Sequence, residues 1–199
     1  MNSLSKIFDS YAAFEDEVGI YITRICEKHY ADCEGACCRA EICKESLTSP
    51  FLRRLRKRFA SDAEYSDRRG WLVETGCALS VGRPPVCYQF FCDAIFDDRP
   101  TAEFRYAIMV LSNLVNHVGK KALGRKHIVE LQESSELKRI NFVRFERQLN
   151  EAKNAFKRVR AYLDGDVTKL DSLRILKKIY SPPKAKLLAI SFANKKPSP

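Results

Sequence analysis

Two short stretches of cysteine govern what this chain can become. Cys26, Cys33, Cys37, Cys38 and Cys43 form the first and Cys77, Cys87 and Cys92 the second, while residues 93–199 hold none. Thiolates gathered in this way are preferred donors for zinc and for iron–sulfur clusters. Such a site needs several deprotonated sulfurs converging at about 2.3 Å from an ion. Close spacing lets one turn of backbone supply two or three donors, and a second stretch then closes the shell and staples the loop between. Cys33-Glu34-Gly35-Ala36-Cys37-Cys38 reads as one such turn, with Gly35 allowing tight curvature. The segment from Cys77 to Cys87 reads as the other. There Gly82 can take a positive φ, Arg83 is pushed toward an extended conformation by the proline after it, and Pro84-Pro85 stiffens the return.

The compartment bears on how those thiols are used. The first residues lack the apolar core of a secretory signal, and the longest apolar stretch, Ala107 to Val115, is interrupted by Ser112 and Asn113. It is too short to span a bilayer. These features predict a cytoplasmic protein with no membrane span. Reducing cytosol disfavours a disulfide framework, and the vicinal pair Cys37-Cys38 would distort the backbone if bridged. Metal ligation is the reading that remains.

Apolar periodicity predicts a mainly α fold: a helical domain with an irregular cysteine-rich metal-binding region and a C-terminal helical extension. Ile7, Tyr11, Phe14, Val18, Tyr21 and Ile25 recur at helical spacing within residues 4–31. Ser49-Pro50 opens a short helix through Phe51, Leu52, Leu55 and Phe59, with Arg53, Arg54, Arg56, Lys57 and Arg58 on a solvent face. Gly70, Gly76 and Gly82 punctuate a compact loop with a short hairpin around Trp71-Leu72-Val73, and Pro84-Pro85 argues against a regular helix there. Thr101 caps a helix that carries Phe104, Ile108, Leu111, Val115 and Val118 and ends near Gly119. A long helix follows, with a seam of Phe145, Leu149, Ala152, Phe156, Val159 and Leu163, stopped by Asp164-Gly165-Asp166. A last helix occupies Leu170 to Tyr180. The organisation this predicts is a cysteine-cluster region with its N-terminal helix over 1–100, a basic helical region packed on it over 101–180, and a flexible tail over 181–199.

The net charge of +10 is unevenly placed. Residues 138–199 hold 16 Lys and Arg against 5 Asp and Glu, whereas residues 1–137 are nearly balanced. The basic face between Arg144 and Arg160 suits nucleic acid or an acidic protein, and equally suits a plain solvated helix face.

The stretch Cys33…Cys37-Cys38-Arg39, together with Cys77-x-Leu79-x3-Arg83-Pro84-x2-Cys87, with Phe90 after it, resembles the YkgJ-type cysteine-cluster family. The likeness covers roughly residues 26–92. Proteins of that family are described as zinc- or iron-chelating, often as iron–sulfur proteins. The head here carries one extra residue between Cys33 and Cys37, and Leu79-Ser80 stands where the family has Ile-Tyr. The resemblance implies ligation by Cys33, Cys37, Cys38, Cys77 and Cys87. Cys26, Cys43 and Cys92 fit three roles: ligand, member of a second site, or small buried hydrophobe. Adjacent Cys37 and Cys38 would strain a single tetrahedral zinc, which favours a 4Fe–4S cluster over zinc.

Other signals are weaker. Arg83 and Arg39 fit as donors that offset the negative charge of a thiolate centre. His29, His117 and His127 read as surface residues, and Trp71 with Phe90-Phe91 reads as cover for the metal site. The main functional expectation is a redox or metal-handling protein; the alternative is a zinc-structured interaction module. A distant relative of the family, the flagellin lysine N-methylase, also carries a cysteine cluster, yet residues 93–199 show no methyl-donor site, so enzymatic activity stays open.

Overall fold

Side-chain oxygens start the three helices that matter most for packing. A computed structural model describes residues 3–29, 38–60, 62–74, 76–171 and 173–182; Cys33, Cys37 and the tail from 183 onward lie outside them. The fold is mainly helical. Helix α1 spans Ser3–Glu27, and two single turns, α2 (Ala40–Cys43) and α3 (Glu45–Thr48), lead into α4 (Pro50–Phe59). Ser49 Oγ accepts from the Leu52 N–H at 3.5 Å, and Pro50 occupies the first turn, where no N–H is missed. A hairpin of β1 (Leu72–Val73) and β2 (Gly76–Cys77) sets Leu72 opposite Cys77 and Val73 opposite Gly76. After it come α5 (Asp93–Asp97), α6 (Ala102–Gly119), α7 (Ser134–Leu137), α8 (Phe142–Asp164) and α9 (Leu173–Ile179). Thr101 Oγ1 caps α6 by accepting from Phe104 N–H at 3.1 Å, and Asn141 Oδ1 caps α8 by accepting from Arg144 N–H at 2.9 Å. Gly165 ends α8 in the left-handed region at φ +87°, where a Cβ would be strained.

One large core joins the two halves of the chain. Helix α6 lies against α8, both pack on α1, and α9 closes over α6 and α8. Phe156 receives the ring edges of Phe14 and Tyr21 at centroid distances of 6.4 and 5.5 Å. Arg24 reaches Asp164 at 2.6 Å. Because these pairings advance together along both helices, α1 and α8 run parallel. On the other flank Phe51 of α4 stacks on Phe8 at 4.9 Å and takes the edge of Tyr11 at 5.0 Å. No helix among the described residues is long and apolar enough to cross a membrane.

Several expectations change. Helix α1 stops at Glu27 rather than continuing to 31, in a turn where His29 N–H donates to the Cys26 carbonyl at 2.9 Å. Pro85 opens a 3-10 helix, Pro85–Gln89, instead of preventing one, since a fixed φ suits a first turn. His117 is buried, with Nε2 3.0 Å from Glu151 Oε2, and His127 is half-buried against the Asn116 carbonyl at 2.9 Å. Burial pushes both imidazoles below their ordinary pKa. Within the basic run of α4, Arg56 turns from solvent and lays its guanidinium 4.9 Å from the Trp71 ring centre.

Phe156 is 3% exposed and is the meeting point of α1 and α8. Phe156→Ala is expected to cost about 3–5 kcal/mol of unfolding free energy. Urea denaturation followed by circular dichroism measures it; a loss under about 1 kcal/mol would show that the two helices do not depend on this contact.

Candidate functional site

The cysteines divide between two places. Cys43, Trp71 and Leu79 form a second, smaller core, with Leu47, Tyr65 and Cys77 packed around it. Cys26 and Cys92 pack against the large helical core instead. There His29 Nε2 lies 3.0 Å from Asp98 Oδ2 and pins the end of α1 beside α5; the His29 side chain is largely covered, not a surface group. Cys33 and Cys37 lie outside the described residues. None of Cys26, Cys38, Cys43, Cys77, Cys87 and Cys92 is in a disulfide.

The small core brings the two stretches together. Cys43 ends α2, and its sulfur lies against Gly70, the residue before Trp71. Gly70 makes this approach possible. A Cβ there would stand 2.6 Å from Cys43 Sγ, and its φ of +63° suits glycine. The Trp71 indole N–H donates to Ser46 Oγ at 2.8 Å, and Ser46 Oγ donates to the Cys43 carbonyl at 2.6 Å, so the ring locks α2 to α3. Trp71 packs with Cys43 in the small core. Phe90 is exposed, and Phe91 packs on the large core, so these two do not share that task.

From the other side, the 3-10 helix Pro85–Gln89 carries Cys87. Interaction with Cys87, and then the Trp71 backbone, draw the Cys43 thiol pKa down to about 6, whereas interaction with Cys43 followed by burial pushes the Cys87 thiol up. Cys77 and Cys38 add further negative charge around Cys87. At Cys77 burial pushes the thiol pKa up, against the Arg83 charge and the Leu79 backbone, which pull it down. Backbone N–H groups aimed at sulfur, with an arginine beside them, are what a thiolate centre requires of its surroundings. Among the described residues, however, no three His, Cys, Asp or Glu side chains gather closely enough to hold a metal ion.

The residue that positions this loop is Glu15, fully buried on α1. Its carboxylate accepts from Gly82 N–H, Arg83 N–H and Tyr88 O–H, each at 2.9 Å. Burial pushes its pKa up to about 7, against those three donors and the Arg83 charge, which hold it down. Gly82, at φ +82°, sits where a Cβ would meet the backbone of α4, 3.2 Å from Arg56 N. Arg83 Nε donates to the Leu79 carbonyl at 2.6 Å, and its charge acts on Cys77, Cys87 and Glu15 together. Burial works against that charge, but Tyr88, Cys77 and Glu15 outweigh it and raise the Arg83 pKa. Arg39 is exposed ahead of α2. Sequence reading missed Glu15, although a signal existed: it falls on the same helical stripe as Tyr11, Val18 and Ile22, a carboxylate among core positions.

No family model, curated protein or solved structure matches this chain.

A carboxyl whose folded pKa is raised stabilises the fold most when protonated in both states. The Glu15 contribution is therefore fully present below its ordinary value of 4.5 and is lost as pH rises through about 7. Relative to Glu15→Gln, the wild type is expected to lose about 3 kcal/mol across that window. Urea unfolding at a series of pH values reads the difference; a gap between the two proteins that stays constant would refute the burial effect.

Proposed function

We propose that this chain is a metal-binding cysteine-cluster protein of the YkgJ type, in which Cys33 and Cys37, together with two of Cys38, Cys43, Cys77 and Cys87, supply the four thiolates of an iron–sulfur cluster. The observation that carries this reading is the small core around Trp71 and Leu79, which brings Cys43 of the first stretch together with Cys77 of the second. The Arg83 charge with the Leu79 backbone at Cys77, and Cys87 with the Trp71 backbone at Cys43, support it, because they favour sulfur in its ionised form. A cluster held there supplies one-electron transfer, tuned by exactly such hydrogen bonds and by burial. Cys26 and Cys92, set against the helical core, serve as small, partly buried apolar side chains on this reading. Zinc in the same thiolates gives a structural site in place of a redox one.

Protein purified without oxygen is expected to carry iron and acid-labile sulfide, with visible absorption and a paramagnetic signal on reduction. Cys77→Ser and Cys87→Ser should each remove most of the metal. Stoichiometric zinc with no colour would replace the cluster by zinc, and metal-free protein would overturn the proposal.

A second reading draws on α8 and its neighbour α9. Arg147, Lys153 and Lys157 are exposed with no acidic partner among the described residues, whereas Arg158 and Lys178 are tied to Asp171 and Glu151. The unpaired face suits nucleic acid or an acidic protein. Binding to single- or double-stranded nucleic acid that weakens steeply with salt, and falls in a Lys153→Glu/Lys157→Glu variant, supports it. No binding at low salt removes nucleic acid as the partner.

A further inference from the structure

Helix α4 carries five cations in ten residues and no acid, and its packing accounts for only two of them. Phe51, Leu52 and Leu55 are completely buried, so the apolar side of the helix is used up in the core. On one flank Arg58 reaches Asp9 of α1 at 2.6 Å, and on the other Arg56 lies over Trp71, 4.9 Å from the ring centre. Arg53, Arg54 and Lys57 remain. At about 100° per residue they form one outward row between those flanks, opposite the buried side. All three are exposed, with no carboxylate in ion-pair reach among the described residues.

Local helix physics does not explain this row. Arg53 and Lys57 stand four apart and Arg54 and Lys57 three apart, and like charges at such spacings weaken a helix. The helix dipole welcomes Lys57 near the C-terminal end, but it opposes Arg53, which closes the turn begun by Pro50. In the loop that follows, Asp62, Glu64 and Asp67 offset Arg68 and Arg69, so the positive excess is confined to α4.

We propose that the outward row of α4 docks on the phosphate backbone of a nucleic-acid duplex. A duplex presents about one negative charge per 1.7 Å of its axis, and such density rewards cations crowded into one helical turn. Two of the three are arginines, whose planar fork pairs with phosphate through two parallel hydrogen bonds. The row holds no aromatic side chain on which an unpaired base could stack, which favours a duplex over a single strand. Contacts to phosphate carry no sequence information, so binding is indifferent to sequence. A lipid surface offers phosphates too, but a helix whose apolar side is already buried has nothing to insert, and charge alone holds a protein there weakly. This face is separate from the basic face of α8: α4 packs on Phe8 and Tyr11 of α1, and α8 on Phe14 and Tyr21. It is also independent of any metal.

Fluorescence anisotropy of the full chain with a short labelled duplex of mixed sequence, repeated across a salt series, tests this. The logarithm of the affinity is expected to fall linearly with the logarithm of salt, and equally for a duplex of unrelated sequence. Arg53→Gln/Arg54→Gln/Lys57→Gln should lower that slope by about 2–3 and weaken binding at low salt at least about tenfold. The same variant should unfold at an equal or higher urea concentration, because the crowding of like charge is relieved. Arg53→Lys/Arg54→Lys keeps the charge and should keep most of the slope. Lys57→Gln alone should remove about 1 from it, and decides the matter if the triple variant does not fold. A slope unchanged in the triple variant, with binding lost instead in Lys153→Glu/Lys157→Glu, assigns the contact to α8 and overturns the proposal. Binding to phosphatidylserine vesicles with none to the duplex overturns it as well, and so does binding to neither at low salt.

Discussion

A single buried carboxylate organises this protein. Glu15 sits inside the helical core and has no solvent to satisfy it, so it must find donors within the fold. It finds them in the backbone of Gly82 and Arg83 and in the hydroxyl of Tyr88. The loop between Cys77 and Cys87 is thereby fastened to the N-terminal helix, whose own place is fixed by packing on α6 and α8. An irregular loop has few apolar contacts of its own, and three hydrogen bonds to a desolvated group hold it more firmly than the same bonds would at the surface. Gly19 contributes from the same helix, since the space a Cβ would fill there borders Tyr88 and the Ser80 carbonyl.

The sulfur chemistry depends on that fastening. Arg83 leaves the loop toward Cys77 and Cys87 and is held by the Leu79 carbonyl, so one guanidinium balances both the thiols and Glu15. Cys43 approaches from a separate unit, in which Trp71 packs against Tyr65 and under Arg56. Helix α4 borders both parts: its backbone touches Gly82, and its Arg56 covers Trp71. The gathering of Cys43 with Cys77 is thus a consequence of helix packing and of the Glu15 bonds, and cannot be assigned to the spacing of the cysteines alone.

Much of the helical frame was legible because it follows local rules. The stripe of α1, the Ser49-Pro50 and Thr101 starts, the hairpin beside Trp71 and the Gly165 stop are all set by residues within a few positions of one another. The pairing of cysteine stretches was legible only as chemistry that would bring them together. Glu15, His117 and Arg56 were read wrongly or overlooked, and for one reason. Each is a polar side chain whose burial is decided by a partner distant in the chain: Gly82 for Glu15, Glu151 for His117, Trp71 for Arg56. Periodicity marks which face is buried, but it does not name what a charged group on that face will meet.

The parallel course of α1 and α8 also sets the order in which the protein can be completed. Tyr21 and Asp164, which meet at one end of this pair, are 143 residues apart in the chain. As synthesis proceeds from the N-terminus, the aromatic face of α1 emerges long before Phe156 exists to cover it. Glu15, Gly82 and Tyr88 are all made earlier, so the cysteine loop can seat itself on the first helix while that face is still open. On the ribosome the thiol region comes before the hydrophobic closure, and the nascent chain must keep an uncovered aromatic stripe from finding other partners until α8 arrives.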